Sequence, residues 1–181
     1  ISAGRAAAQS GGVDRVAGEL GVCRMAGPIV AARTLHPAPP ESYTIFVAGC
    51  NFKCVGCQNW TISQFPDNRM PVEGYVDPNS LAQESIRMLE STAGILMGAD
   101  RIFFSGGEPT IHLPFIEEVV KEARQLRPAL KVNFDTNGFM TEESLKRILN
   151  FSTSMTFDIK AFYDDTMRAI TGAPVAPVLR N

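Results

Sequence analysis

Positive charge is scarce in this sequence. Seventeen Lys and Arg stand against nineteen Asp and Glu, a net charge of −2, so there is no electrostatic footprint for nucleic acid. Long apolar runs are missing as well. No stretch of about 18 apolar residues occurs, which excludes a membrane-spanning helix. The opening "ISAGRAAAQSGG" lacks an apolar segment and does not read as a secretory leader. Histidine is nearly absent: only His36 and His112 occur, both far along the chain from the clustered cysteines. Cysteine is sparse too, with four in 181 residues. That is not the density of a small disulfide-stapled scaffold. What remains is 45% hydrophobic, enough for one domain with a real core.

The chain divides by composition. Residues 1–40 are rich in Ala, Gly and Pro and read as an N-terminal extension and linker, with Gly11 to Arg24 as a small appendage and "HPAPPES" as an extended connector. Residues 41–181 carry the regular pattern. "YTIFVAG" from Tyr43, "RIFFS" from Arg101, "LKVNFD" from Leu130 and "SMTFDIK" from Ser154 read as strands. Between them lie helical segments. The first has Asp77 as N-cap, Pro78 at its first position and Gly94 as its stop. The second places Phe115, Ile116, Val119, Val120, Ala123 and Leu126 on one face. The third starts at a Thr141 cap, and a short helical stretch follows from Asp164. Alternating strands and helices predict an α/β fold with a parallel sheet, a partial (β/α) barrel of TIM type. Polar and Gly-rich residues follow each strand: "CNFKCVGC", "GGEPT", "DTNG" and "DIK". A parallel sheet puts all four of these ends on one rim, where sites are built.

Three of the cysteines, Cys50, Cys54 and Cys57, fall in "GCNFKCVGCQNW". Three readings are open. The spacing could mark a buried helical stripe, since free Cys packs as a small hydrophobe. Against this, Gly49 and Gly56 are poor helix formers and Asn51, Lys53, Gln58 and Asn59 are polar. A zinc site would need a fourth ligand, for which Cys23 is a candidate. An iron–sulfur cubane has four irons, each wanting a thiolate, so three cysteines leave one iron open to a small molecule.

The C-x3-C-x2-C motif after the first strand, joined to "SGGEPT" after the second, resembles the radical S-adenosylmethionine superfamily. The likeness runs from about Tyr43 to Asn181. It is greatest to the branch of glycyl radical enzyme activating enzymes that includes pyruvate formate-lyase activating enzyme, through "GCNFKCVGCQNW", "FSGGEPT", "DTNG" and "DIK" in that order. The resemblance implies that Cys50, Cys54 and Cys57 bind a [4Fe-4S] cluster whose open iron takes S-adenosyl-L-methionine. It implies reductive cleavage to a 5′-deoxyadenosyl radical that abstracts a hydrogen atom. It also implies cofactor contacts from Gly106, Gly107, Glu108, Asn137, Asp158 and Lys160, with Asp158 and Lys160 projecting to one side of their strand near the reacting centre. The implied partners are a glycyl radical enzyme or another protein substrate, and a flavodoxin or ferredoxin as reductant. The expected setting is the reducing cytoplasm.

The sequence departs from this family at two points. Relatives usually carry an aromatic residue before the third cysteine, where this chain has Gly56; Phe52 or Trp60 would have to substitute. Relatives with an N-terminal extension often hold extra cysteines, where this chain keeps only Cys23. The sequence begins at Ile1 and stops soon after the fourth expected strand. Family barrels continue further, so a fragment, or a chain completed by another, is expected. His112 reads as a helix-entry residue. A β-branched residue at Gly107 is expected to block S-adenosylmethionine while leaving the cluster site undisturbed.

Overall fold

Alternation of side chains along a strand sends successive residues to opposite faces, and in this chain the two faces differ in chemistry. A computed structural model describes residues 30–65 and 67–181. Its sheet has the order β1-β2-β3-β4-β5, from Val30–His36, Ser42–Val47, Arg101–Gly106, Lys131–Thr136 and Ser154–Phe157. β2 to β5 are parallel neighbours, and β1 is antiparallel to β2. On one face Tyr43, Ile102 and Val132 stand in register, as do Ile45, Phe104, Phe134 and Met155. All but Met155 are buried. The other face carries Thr44, Ser105, Asn133 and Asp135, with Ser105 Oγ donating to Asp135 at 2.9 Å.

The apolar face is covered by helices in the βα crossovers. α1 is Trp60–Ser63, α2 Pro78–Leu89, α3 Thr92–Met97, α4 Leu113–Leu126, α5 Glu142–Leu149, α6 Asp164–Thr171 and α7 Ala176–Arg180. α2 and α4 contribute Leu81, Ile86, Leu89, Ile116, Val119, Val120 and Ala123 to the main core. Their starts follow local chemistry. Asp77 accepts from Ser80 N at 3.0 Å with Pro78 behind it, and Thr141 accepts from Ser144 N at 3.1 Å to cap α5. α6 begins at Asp164 as expected. This open, mostly parallel sheet is a partial β/α barrel.

The sequence reading requires four corrections. Residues 30–36, within the segment expected to be extension and linker, form edge strand β1. α2 ends at Leu89, not at Gly94: Ser91 turns the chain and caps α3, and Gly94 lies inside that helix, where a Cβ would meet Met88 O at 2.3 Å. The left-handed stop is Gly98, φ 79°. Leu126 is half exposed at the end of α4, while Ala123 on the same turn is buried. β5 ends at Phe157, so Asp158 and Lys160 follow the strand and do not lie on it. The appendage expected at Gly11 to Arg24, and Cys23 with it, lies outside the described residues. Among the described residues no helix is long and apolar enough to cross a membrane.

Phe134 lies between Phe104 and Phe151, at ring-centroid distances of 6.0 and 6.1 Å, and is fully buried. Phe134→Ala should lose about 3–5 kcal/mol of unfolding free energy. Leu149→Ala, on the exposed side of α5, should stay within about 0.5 kcal/mol. Urea unfolding of the two variants measures the contrast.

Candidate active site at the carboxyl rim of the sheet

The loops after β2, β3, β4 and β5 meet around one cavity. Cys50, Cys54 and Cys57 line it from the first loop, Gly106 at the end of β3 with Gly107 and Glu108 from the second, Asp135 and Thr136 at the end of β4 with Asn137 from the third, and Asp158 and Lys160 from the fourth. The nine residues expected to hold the cluster and its cofactor therefore all border this cavity. The three cysteines are free thiols, each partly exposed, and they do not lie on a helix. Among the described residues no three His, Cys, Asp or Glu side chains converge tightly enough to hold a single metal ion.

The cavity floor is built by backbone. Gly107 N donates to Val47 O and Glu108 N to Gly49 O, both at 2.9 Å. A Cβ on Gly107 would lie 1.9 Å from the Gly49 carbonyl oxygen. Gly106 has φ 114°, and a Cβ there would meet Val47 N at 2.4 Å. Both glycines are thus required by the packing of the β3 loop against the segment that leads into Cys50. This overturns the expectation that a side chain at Gly107 would spare the cysteine loop.

Glu108 is fully buried. Oε1 accepts from Thr110 N at 3.0 Å and Thr136 Oγ1 at 2.8 Å, and Oε2 accepts from Asn137 N at 2.8 Å. Burial raises its pKa, against the opposing pull of these donors. The carboxylate binds the β3 loop to the β4 loop. Asn137 is similarly engaged. Its Oδ1 accepts from Phe139 N at 2.9 Å, and its Nδ2 donates to Asn51 Oδ1 at 2.7 Å and points toward Cys50 Sγ at 3.8 Å. Asn51 in turn donates to Phe139 O at 2.9 Å.

The rim is more exposed. Lys160 Nζ donates to Asp158 Oδ2, and the two side chains are 33% and 55% exposed. Burial pulls the Lys160 ammonium down, but its bond to Asp158 outweighs this and the net shift is upward. Asp135, held by Ser105, is pushed up by burial. Burial also raises the Cys50 and Cys54 thiols, with the Lys160 charge working the other way at Cys54. Of the two aromatics considered as substitutes at Gly56, Phe52 lines the cavity, buried against Phe139 at 5.4 Å. Trp60 is half exposed and does not border it.

The sequence reading did not name Asn51, Asn59, Ser105 or Asp135 among the site residues. Asn59 Nδ2 reaches Gly106 O at 3.3 Å and helps hold the floor. Ser105 and Asp135 occupy the polar face of β3 and β4, which strict alternation could have flagged. His112 does enter a helix, as expected, but it is also buried, with Nε2 2.6 Å from Ala48 O.

A model of the radical SAM superfamily matches residues 44–181. The chain belongs to the radical SAM superfamily. Members of that superfamily use a [4Fe-4S] cluster and S-adenosylmethionine. An uncharacterized protein of Methanocaldococcus jannaschii is 31% identical over 162 residues, covering 88% of this chain and 44% of the relative. A second uncharacterized protein of that organism is 31% identical over 132 residues, 70% and 36% of the two chains. A pyruvate formate-lyase-activating enzyme of Staphylococcus aureus is 25% identical over 150 residues, 78% and 55% of the two chains. The radical SAM protein described here thus spans about half the length of the curated relatives it matches.

Two outcomes follow from this geometry. Gly107→Ala should displace the Gly49–Cys50 segment and lower iron incorporation several-fold, measured as iron and sulfide per chain after anaerobic reconstitution; unchanged loading would contradict the close approach. Burial holds His112 down at about 4, against 6.5 for a free imidazole. The unfolded state therefore takes up its proton first as pH falls. His112's share of stability is fully present above pH 6.5 and is lost between there and 4. By pH 5 the loss should reach about 2 kcal/mol. Urea unfolding at pH 7 and pH 5 should show this slope in the parent and a flatter one in His112→Leu.

Proposed function

We propose that this chain forms the catalytic core of an enzyme that cleaves S-adenosylmethionine reductively to start hydrogen abstraction, and that the hydrogen comes from a glycine on a partner protein. The observation that carries the reading is the cysteine arrangement: three thiols on one loop line one cavity. A cubane binds its thiolates at different irons, so three thiolates leave one iron free. When bound, a reduced cluster of this type supplies the electron that breaks the sulfonium bond.

The chain's own residues would then divide the work. Cys50, Cys54 and Cys57 would hold the cluster. The backbone of Gly106 and Gly107 presents polar groups at the floor with no side chain between them and a ligand. Lys160 offers a cation to the ligand's carboxylate, while Asp158 and Asp135 offer acceptors to its ammonium or ribose hydroxyls. Phe52 supplies an apolar wall. The glycine-directed role draws support from the 25% identity to a pyruvate formate-lyase-activating enzyme. A small flavodoxin or ferredoxin is the proposed electron donor.

The experiment is anaerobic reconstitution followed by dithionite and S-adenosylmethionine, with 5′-deoxyadenosine measured by chromatography. Product should require cluster, reductant and S-adenosylmethionine together. Cys54→Ala should form at least tenfold less, and Cys23→Ala should match the parent. A fully loaded cluster that yields no 5′-deoxyadenosine, or equal loss from both variants, would sink the reading.

A further inference from the structure

The three cysteines do not have equivalent surroundings. Cys50 Sγ accepts from Phe52 N at 3.3 Å and faces Asn137 Nδ2 at 3.8 Å. Cys57 Sγ instead faces a hydroxyl, Ser63 Oγ, at 3.5 Å. The Asn137 amide cannot easily turn away from Cys50. Its oxygen is held by Phe139 N and its other N–H by Asn51 Oδ1, and Asn51 is fixed in turn by Phe139 O. Both asparagines are buried, so water does not readily replace a lost partner. The carboxamide's two N–H groups are directed at Asn51 and Cys50, and one of its oxygen lone pairs at Phe139. Little capacity remains for a ligand.

We propose that Asn137 is a positioning residue that acts through Cys50: it fixes the first cysteine and sets the reduction potential of the cluster, and it does not bind S-adenosylmethionine itself. This rests on the cluster reading given above. A donor aimed at a ligating sulfur stabilises the more negative, reduced state, and hydrogen bonds to sulfur are among the levers that set such potentials. The β4 loop, whose Asn137 N is held by Glu108, thereby reaches the metal site through a side chain.

The test uses the reconstituted chain and two variants. Asn137→Ala removes the amide. Asn137→Asp keeps the shape and the acceptor for Phe139 N but removes the N–H donors, and it secures the result if the alanine variant loads poorly. Two quantities are read. One is the cluster's midpoint potential without S-adenosylmethionine, by titration followed with electron paramagnetic resonance. The other is the Kd for S-adenosylmethionine on the oxidised cluster. At fixed potential the reduced-to-oxidised ratio should fall about tenfold, about 59 mV for one electron, while Kd changes less than threefold. An unchanged potential in a loaded variant overturns the inference. So does a Kd raised tenfold or more, which would make Asn137 a direct ligand contact. A parent chain that takes up no iron–sulfur cluster would instead overturn the reading beneath it, and this inference with it.

Discussion

The site depends on one close approach, that of Gly107 to the carbonyl of Gly49. No residue with a Cβ fits there. Two backbone hydrogen bonds on either side, Gly107 N to Val47 O and Glu108 N to Gly49 O, hold the two loops edge to edge. This contact brings Glu108 under the β4 loop, where its carboxylate is completely buried and meets three donors. A buried carboxylate without donors would cost several kcal/mol. The three-donor cage makes the burial tolerable and makes it specific, because shifting any one loop would strand the charge. The cysteine loop, the glycine turn and the β4 loop are therefore a single mechanical unit.

The fold places this unit by a division between the two faces of the sheet. The face under α2 and α4 is closed with Ile, Val and Phe, and it supplies the stability. The opposite face bears Ser105 and Asp135, paired across β3 and β4, and Asp135 borders the cavity. A polar face of this kind is expensive unless it is hydrogen-bonded or serves a ligand. Apolar packing continues at the cysteines themselves. Cys50 and Cys54 rest against a second cluster of Phe52, Phe139, Met167, Ala173, Val175 and Val178, which the segments after β4 and β5 complete.

Much of this was legible in the sequence. The four parallel strands follow from apolar runs, the caps of α2 and α5 from Asp77 and Thr141, and the gathering of the cysteine, glycine, Asn137 and Asp158–Lys160 segments from the rule that strand ends share a rim. What was not legible depended on contacts between distant residues. β1 has an ordinary composition, VAARTLH, and gains its identity only by pairing with β2. Gly94 reads locally as a helix stop but is required by packing against Met88 O. Asn51 reads as one more polar neighbour of the cysteines, yet its amide bridges 86 residues to Asn137. The purpose of Gly107 was misread for the same reason. A glycine turn says that a close approach exists, and only the structure says that the approaching group is Gly49.

The floor and the rim differ in how readily they can change partners. Glu108 and Asn137 are buried and committed, so recruiting either to a ligand would first cost a satisfied internal bond. Asp158 and Lys160 are a different case. They sit after β5, partly exposed, in an ion pair that solvent screens. Such pairs contribute about 0–1 kcal/mol, so opening this one to admit a charged ligand costs little. Lys160 also lies close enough to Cys54 for its charge to oppose the burial that raises that thiol, which links the rim to the cysteine loop. The Asp158–Lys160 pair can therefore open while the Glu108 cage stays closed beneath it.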